Sequence, residues 1–516
     1  MSQQQPRPTN DAKPSKPVKG AEAEFEEDEE AGNRFLFFNV MPSWMVSFLS
    51  HIAVIIVLAI IVMPTRQERT VALEASEQGV EKLESIDLNI DALEFDSEVD
   101  PFETEIVEEE PTEVTEFTDA VLPEAEVDFG NIIGAEEFSL DADIGELSMS
   151  EMTEETGART GDSKERLLKE WGGTAASEEA VALALKWIIK HQLPDGGWDL
   201  DHTRGPGKHR KSTHPGNRAA RNGATALAVL PLLGAGHTHQ SGEYKKEVRY
   251  ALEYLMSRGK KSGKGISYLE PGGTMYSHGL VSIVFCEAYA MTKDPMLAPF
   301  AQGTVWYIEQ AQDPVGGGWR YRPREPGDTS AVGWQVMALK SAKISGLNIN
   351  PKTYKRTAKF LDSVSTSGGA FYGYMDPPRG QPADARTAVG LLCRMYMGWD
   401  KSNPGMVDGT GAIAEKGPSV GRTTNMYYNY YATQVMKHIG GSKWNNWNGK
   451  MRGYLVKSQE KEGDAAGSWH FGSKSHAAEA GGRLYVTAMA CMTLEVYYRY
   501  LPLYGDKAAN DQFQLD

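Results

Sequence analysis

The densest set of reactive side chains in this 516-residue sequence lies between Asp199 and Arg221. The run Asp199-Leu-Asp201-His202-Thr-Arg204-Gly-Pro-Gly-Lys208-His209-Arg210-Lys211 continues through His214, Arg218 and Arg221. Guanidinium and ammonium groups match the oxygens of phosphate and carboxylate, so Arg204, Lys208, Arg210 and Lys211 are candidate anion ligands. Asp199, Asp201, His202, His209 and His214 are metal-type ligands by residue type. They lack a defining spacing, and no metal is assigned. A solvated basic loop is the competing reading. A second group is aromatic: Trp334, Tyr427 and Tyr428, with Tyr430 and Tyr431, fall on apolar helical stretches. There they line a cavity for a hydrocarbon or cation, or they pack a core. His470 and His476 read as surface residues.

These side chains must be positioned by a repeated element. Leu185 to Trp198 reads as the end of a helix carrying Trp187 and Gln192, then a Pro-Asp-Gly-Gly turn closing on Trp198. Pro194 cannot continue a helix, and the glycines permit a backbone other residues resist. The design returns as Tyr254 to Tyr268, Val305 to Trp319, Phe360 to Phe371 and Tyr454 to Trp469. The last gap is about double the middle ones, which places a degenerate unit between Pro404 and Arg422. A period of about fifty residues marks a repeat architecture in which each unit buries its face against its neighbours. After each turn comes a more apolar helix, at 224–233, 278–291, 329–342, 386–397, 425–439 and 484–500. Helices apolar nearly all round belong inside; the Trp/Gln helices, with Lys and Glu on one face, belong outside. Six hairpins closing on themselves give an all-α (α/α)₆ toroid.

The Trp/Tyr…Gln…Gly-Gly-Trp segments resemble the QW repeats of squalene–hopene cyclases and the related prenyltransferase/squalene-oxidase repeats, over about Ser177 to Tyr504. In that family the Gln stacks on the Trp and ties adjacent outer helices together. The resemblance gives this structural role to Gln192 with Trp198, Gln312 with Trp319, and Gln459 with Trp469. It also implies an Asp-x-Asp-Asp-Thr-Ala motif opening an inner helix, whose central acid protonates an alkene in an apolar cavity. The nearest match is Glu325-Pro-Gly327-Asp328-Thr329-Ser-Ala331, where Gly327 stands at the central acid position. Asp384-Ala-Arg386-Thr387 matches no better. Asp328 is equally an ordinary helix N-cap. Asp328, Glu325, Asp199 and Asp201 are the acids left for catalysis. The Asp-Cys-His zinc set of protein prenyltransferases and the Cys-Gly-Glu-Gln of thioester domains have no counterpart, and no cofactor is expected.

Composition divides the chain. Residues 1–160 hold 9 Lys+Arg against 38 Asp+Glu, net −29, and the remainder 44 against 32, net +12. Residues 1–43 read as a disordered tail and 64–160 as an acidic disordered tether, too charged to build a core. Between them Trp44 to Met63 is uncharged and long enough to span a hydrocarbon core, so a single uncleaved transmembrane helix is expected. The toroid is expected from 165 to 505, on the non-cytoplasmic side, followed by a disordered 506–516. Cys286, Cys393 and Cys491 all fall on inner helices and read as small buried residues.

The expected protein is a single-pass membrane toroid that binds a hydrophobic or amphiphilic, isoprenoid-type ligand in a central cavity. The rival readings are an active terpenoid cyclase or prenyltransferase-type enzyme, and a cell-envelope scaffold for protein or glycan. The expected partners are the membrane, a lipid or isoprenoid, and an envelope protein; nucleic acid is not among them.

Overall fold

Six of the fourteen described helices begin where a short polar side chain satisfies a free backbone amide. The computed structural model describes residues 157–206, 211–501 and 503. A lead helix α1 (Gly161–Glu170) precedes six hairpins. These pair α2 (Ala175–Ile189) with α3 (Arg221–Gly234), α4 (Lys245–Arg258) with α5 (Thr274–Thr292), and α6 (Ala298–Ala311) with α7 (Thr329–Ile344). Then α8 (Pro351–Ser363) pairs with α9 (Ala385–Tyr396), α10 (Pro404–Lys416) with α11 (Met426–Ile439), and α12 (Gly441–Ser458) with α13 (Ala478–Leu494). Helix α14 (Val496–Arg499) follows. Thr174 and Ser177 form a reciprocal capping box on α2, and Asn350 and Asn403 cap α8 and α10 just before a proline.

The second helices of the hairpins form a closed circuit. Each of α3, α5, α7, α9 and α11 packs on the next, α11 packs on α13, and α13 packs back on α3. The first helices lie outside: α8 buries only Thr353, Tyr354, Thr357, Phe360 and Leu361, a single helical stripe, whereas α3 is buried from Asn222 to Gly234. The architecture is an (α/α)₆ toroid.

The Gln-Gly-Trp segments form the seams between outer helices. Gln192 Nε2 donates to its own turn at Gly196 O (2.8 Å) and to Glu247 O on α4 (2.9 Å). Gln312 Nε2 repeats this with Gly317 O (2.8 Å) and Thr353 O (3.0 Å) on α8, and Gln459 Nε2 with Gly467 O (2.9 Å) and Ala180 O (2.7 Å) on α2. The last pair joins the final unit to the first. The turn glycine must be glycine: Gly317 has φ +86°, and a Cβ there would stand 2.1 Å from Arg356 O. Gly196 and Gly467 meet Tyr250 O and Leu183 O in the same way. The indoles of Trp198, Trp319 and Trp469, all fully buried, donate to Ile188 O, Ile308 O and Leu455 O at the ends of their own outer helices. Trp187 Nε1 donates across the closing seam to Asp464 O.

Units without that glutamine use a different device. Strands β1 (Lys260–Ser262) and β2 (Gly265–Ser267) form an antiparallel hairpin in the second unit, with Lys260 opposite Ser267. Strands β3 (Ser365–Thr366) and β4 (Phe371–Tyr372) do so in the fourth. There the closing aromatic is Tyr372, not Phe371. Tyr372 N bonds Thr387 Oγ1 on the inner helix, as Trp198 N bonds Thr225 Oγ1 and Trp469 N bonds Thr487 Oγ1. The degenerate fifth unit starts with α10, whose Gly405 and Gly409 let it approach Gly368 O and Ala370 O closely. The sixth inner helix ends at Leu494 instead of running to Tyr500.

The ends of the inner helices opposite these turns form a floor. Arg159 enters it with Nη1 2.8 Å from Glu287 Oε2 and 3.2 Å from Leu233 O. Arg499 reaches both Glu287 (3.0 Å) and Glu495 (3.1 Å). Burial alone would raise the Glu287 pKa, but Arg159 and Arg499 outweigh it and hold the carboxylate charged. A cavity of about 20 Å³ beside Lys340 and Tyr396 has room for little more than a water. Cys286, Cys393 and Cys491 are buried free thiols.

The expected tail at 1–43, membrane span at 44–63, most of the acidic tether and the tail at 506–516 lie outside the described residues. Among the described residues no helix is long and apolar enough to cross a membrane.

Gln459→Ala removes the bond to Ala180 O across the closing seam and the bond to Gly467 O within its own turn. We expect a loss of about 2–3 kcal/mol, read as a lower urea midpoint at unchanged slope. Lys457→Ala, two residues away and exposed, should change stability by less than about 0.5 kcal/mol. Equal midpoints for the two variants would refute the seam assignment.

Candidate functional site

Every loop that leads from an outer helix to its inner partner reaches the same end of the ring, so the inner-helix N-termini share one mouth. Their unpaired amides carry partial positive charge. Asp328, Asp384 and Asn425 cap α7, α9 and α11 with their own side chains. Helix α3 is capped from the next unit: Glu270 accepts from Asn222 N and Gly223 N (both 2.9 Å), and from Ser277 Oγ on α5 (2.6 Å). Five non-glycine residues with positive φ lie in or at the end of these entry segments: His214 (64°), Thr274 (54°), Arg324 (65°), Ser367 (52°) and Ala477 (55°). Such strain persists only where surrounding contacts impose it, and it gathers at functional sites.

Asp328 stands out among the caps. It is fully buried, and Oδ1 accepts from Ala331 N at 2.7 Å. Oδ2 makes no hydrogen bond, with Arg320 Nε 3.9 Å away. Burial pushes its pKa up to about 6, against the Ala331 amide, the Tyr374 hydroxyl and Arg320, which favour the charge. Tyr276 and Tyr374 are held protonated by burial first and then by the Asp328 charge; Tyr427 feels the same two effects. Tyr321 OH lies 3.0 Å from Tyr374 OH, and the Arg320 guanidinium sits over both rings, 5.2 and 5.7 Å from their centres. His476 stacks on Tyr427. The cluster can hold a proton near neutral pH, or give a ligand one open carboxylate oxygen among tyrosine hydroxyls.

The other acids are occupied differently. Glu325 accepts from Arg322 N (3.0 Å) and shapes the loop before α7. Asp199 takes Asp201 N on Oδ1 and Arg204 Nη1 (3.2 Å) on Oδ2, and Asp201 takes Arg204 Nε (3.3 Å). Arg204, read as an anion ligand, is therefore paired within its own loop, because two carboxylates stand within reach of its fork. Lys211 is exposed, and Lys208 and Arg210 lie outside the described residues. His202 is buried against Trp187 and His191, with Nε2 3.0 Å from Ser212 O. Among the described residues no three His, Cys, Asp or Glu side chains are placed to hold a metal.

Trp334 on α7 meets Tyr427, Tyr430 and Tyr431 on α11 across the axis, with ring centres 5.7 to 6.2 Å apart and every ring at most 5 % exposed. These rings leave no room between them for a hydrocarbon chain. Tyr428 points away from the axis, bonding Gly417 O and meeting Trp447 edge-on, because consecutive helical residues diverge by about 100°. His470 is half-buried, not superficial: it stacks on His214 at 3.7 Å, and Arg483 Nη2 lies 3.2 Å from His214 Nδ1.

Sequence reasoning missed Arg320, Tyr321, Tyr276, Tyr374 and Glu270. A signal existed for the first two: Gly-Gly-Trp319-Arg320-Tyr321-Arg322-Pro-Arg324 follows a closing Trp, so it must reach the mouth. Nothing local marks Tyr276, Tyr374 or Glu270, which arrive from other units.

No sequence family model matches the chain, and no curated relative is similar enough to match. Several solved structures are similar to it over about two thirds of its length. The α-1,6-mannanase GH76A of Salegentibacter sp. HEL1_6 matches 62% of this chain and 98% of its own at 11% identity, with a TM-score of 0.46. The type II terpene cyclase MstE from Scytonema matches 62% and 97% at 12% identity, with a TM-score of 0.43. Cellobiose 2-epimerase from Bacillus thermoamylovorans B4167 matches 64% and 99% at 12% identity, with a TM-score of 0.46.

Asp328 predicts a pH signature. Its folded pKa, about 6, exceeds the ordinary aspartate value of 3.8, so ionising it costs stability from pH 3.8 upward, reaching about 3 kcal/mol above pH 6. Asp328→Asn keeps the capping oxygen and removes that cost. The variant should unfold at higher denaturant than wild type at pH 7 to 8, with the gap closing near pH 4. Histidines run the other way: burial depresses His278 to about 3, and burial with His191 depresses His202 to about 4. Their stability is whole above pH 6.5 and is lost as pH falls toward those values, so both proteins should lose stability in acid. An Asp328→Asn protein less stable than wild type at pH 8 would refute the assignment.

Proposed function

We propose that the toroid is a binding module that engages an amphiphilic ligand at its mouth, with the ligand's polar head beside Asp328 and Arg320. The observation that carries this reading is the Asp328 Oδ2 atom, buried without a hydrogen bond among three tyrosines and an arginine. An N-cap needs only a short acceptor, and Asn or Ser serves equally. A carboxylate kept there at a cost of about 3 kcal/mol is the kind of local conflict that functional sites carry. The aromatic contacts across the axis argue against enclosing a whole isoprenoid chain there. The apolar stretch at 44–63 supports a location beside a membrane.

A second reading is acid catalysis of the terpenoid-cyclase type with Asp328 as proton donor. Its pKa of about 6 favours it, since such an acid keeps a proton close to neutral pH. Gly327 at the central acid position and the filled axis count against it.

Native mass spectrometry of the full chain, purified in mild detergent from a lipid-rich host, tests the first reading. We expect a bound amphiphile on wild type, lost from the Asp328→Asn/Arg320→Ala double variant; a bare wild-type mass would defeat the proposal. Incubation with squalene or a prenyl diphosphate tests the second. Cyclised product that disappears in Asp328→Asn would replace binding with catalysis.

A further inference from the structure

Arg320 and Asp328 form an ion pair without a hydrogen bond. Arg320 Nε lies 3.9 Å from Asp328 Oδ2, too far for one. Both atoms are buried, and neither has a hydrogen-bond partner among the described residues. The pair therefore leaves one donor and one acceptor side by side. A single oxygen about 2.8 Å from each would see them roughly 90° apart, within the reach of one hydroxyl.

This pairing discriminates between ligand heads by their chemistry. An ionised carboxylate only accepts and a guanidinium only donates, so a group that bridges them must do both. A hydroxyl accepts from Nε and donates to Oδ2. A phosphate satisfies Arg320 but repels Asp328, and an ammonium satisfies Asp328 but repels Arg320. A charged head of either sign is therefore opposed by one member of the pair.

The surroundings suit the rest of such a head. Tyr321, 42% exposed, and the partly exposed Tyr276 hold their rings 6.0 Å apart and inclined at 37°. The Arg320 guanidinium is 5.2 Å from the Tyr321 ring centre, which sets that ring beside the bridge. The carbon-bound hydrogens on one face of a sugar ring are weakly positive and pack on the negative face of an aromatic ring. The Arg320 side chain is 31% exposed and that of Asp328 is fully buried, so an entering group meets the arginine first.

We propose that the head held at the mouth is uncharged and polyhydroxylated, a glycosyl group with one hydroxyl bridging Arg320 and Asp328 and its ring against Tyr321. The inference rests on the ligand reading at Asp328 and adds the chemical class of the head, carried either by a lipid or by a free oligosaccharide.

Hydrogen exchange on the full chain in phosphatidylcholine nanodiscs tests it, at pH 8, where Asp328 is ionised. The discs carry a minor fraction of one added diacyl lipid whose head is glucosyl, galactosyl, phosphate or amine. Maltotriose in solution with plain discs is the arm without a tail. A glycosyl lipid should slow exchange of the 320–331 amides on the order of tenfold relative to plain discs, as expected for a site held mostly occupied. The phosphate and amine lipids should leave exchange unchanged. Asp328→Asn keeps the capping oxygen and puts a donor in place of Oδ2. It should lose the glycosyl protection and gain protection by the phosphate lipid, a reversal that a loosened fold does not produce. Protection by maltotriose equal to that by the glycosyl lipids would uphold the sugar head and refute the need for a lipid tail. Protection by the phosphate or amine lipid and by neither glycosyl lipid would overturn the proposal and leave the amphiphile reading standing. No protection in any arm would overturn both.

Discussion

Ring closure is the constraint on which this structure rests. A helical hairpin of this kind cannot bury its apolar face alone, and a linear stack of six would expose one face at each end. The chain avoids both exposed ends by bringing α13 onto α3 and by fastening α12 to α2 through Gln459. That bond repeats what Gln192 and Gln312 do within the ring, so closure uses no special machinery. These three seams use the same parts: an amide long enough to span two carbonyls, a glycine where a Cβ would strike the neighbouring helix, and an indole that covers the end of its own helix.

Closure also makes the two faces unlike. At the floor the inner helices present carbonyls, and Arg159 and Arg499 bond Leu233 O and Leu230 O while holding Glu287 between them. Such a buried ionic network is weak evidence for stability, since well-packed apolar groups often do as well, but losing one partner would strand a charge. At the mouth the same helices present amides, taken by Asp328, Asp384, Asn425 and the borrowed Glu270. The strained entry segments and the raised Asp328 pKa lie here. The floor is therefore the sealed end and the mouth the working end.

Between them, Trp334 and the α11 tyrosines fill the axis. This is why the mouth, not a central cavity, carries the functional argument. A toroid of this size can either keep its axis open for a ligand or pack it for stability; here aromatic side chains from two next-but-one inner helices, α7 and α11, meet inside the ring.

The sequence alone determined the helical repeat, its inner and outer members and its Gln-Gly-Trp seams, because these are patterns of local period and turn chemistry written within each unit. It placed the fifth unit in the right interval without resolving its glycine-rich helix, whose stability comes from close approach to a neighbour and not from propensity. It offered Arg204 as an anion ligand because a guanidinium matches anionic oxygens, and the fold pairs it with Asp199 and Asp201 of its own loop. It also set Tyr427 and Tyr428 side by side, although only one faces the axis. Tertiary structure decided those points. It also gathered Asp328, Arg320, Tyr276 and Tyr374 at one mouth. The physical reason is common to all of them: a carboxylate's pKa, a cation's pairing and a ring's neighbours depend on which units closure makes adjacent, and that information lies between repeats, not within any one of them.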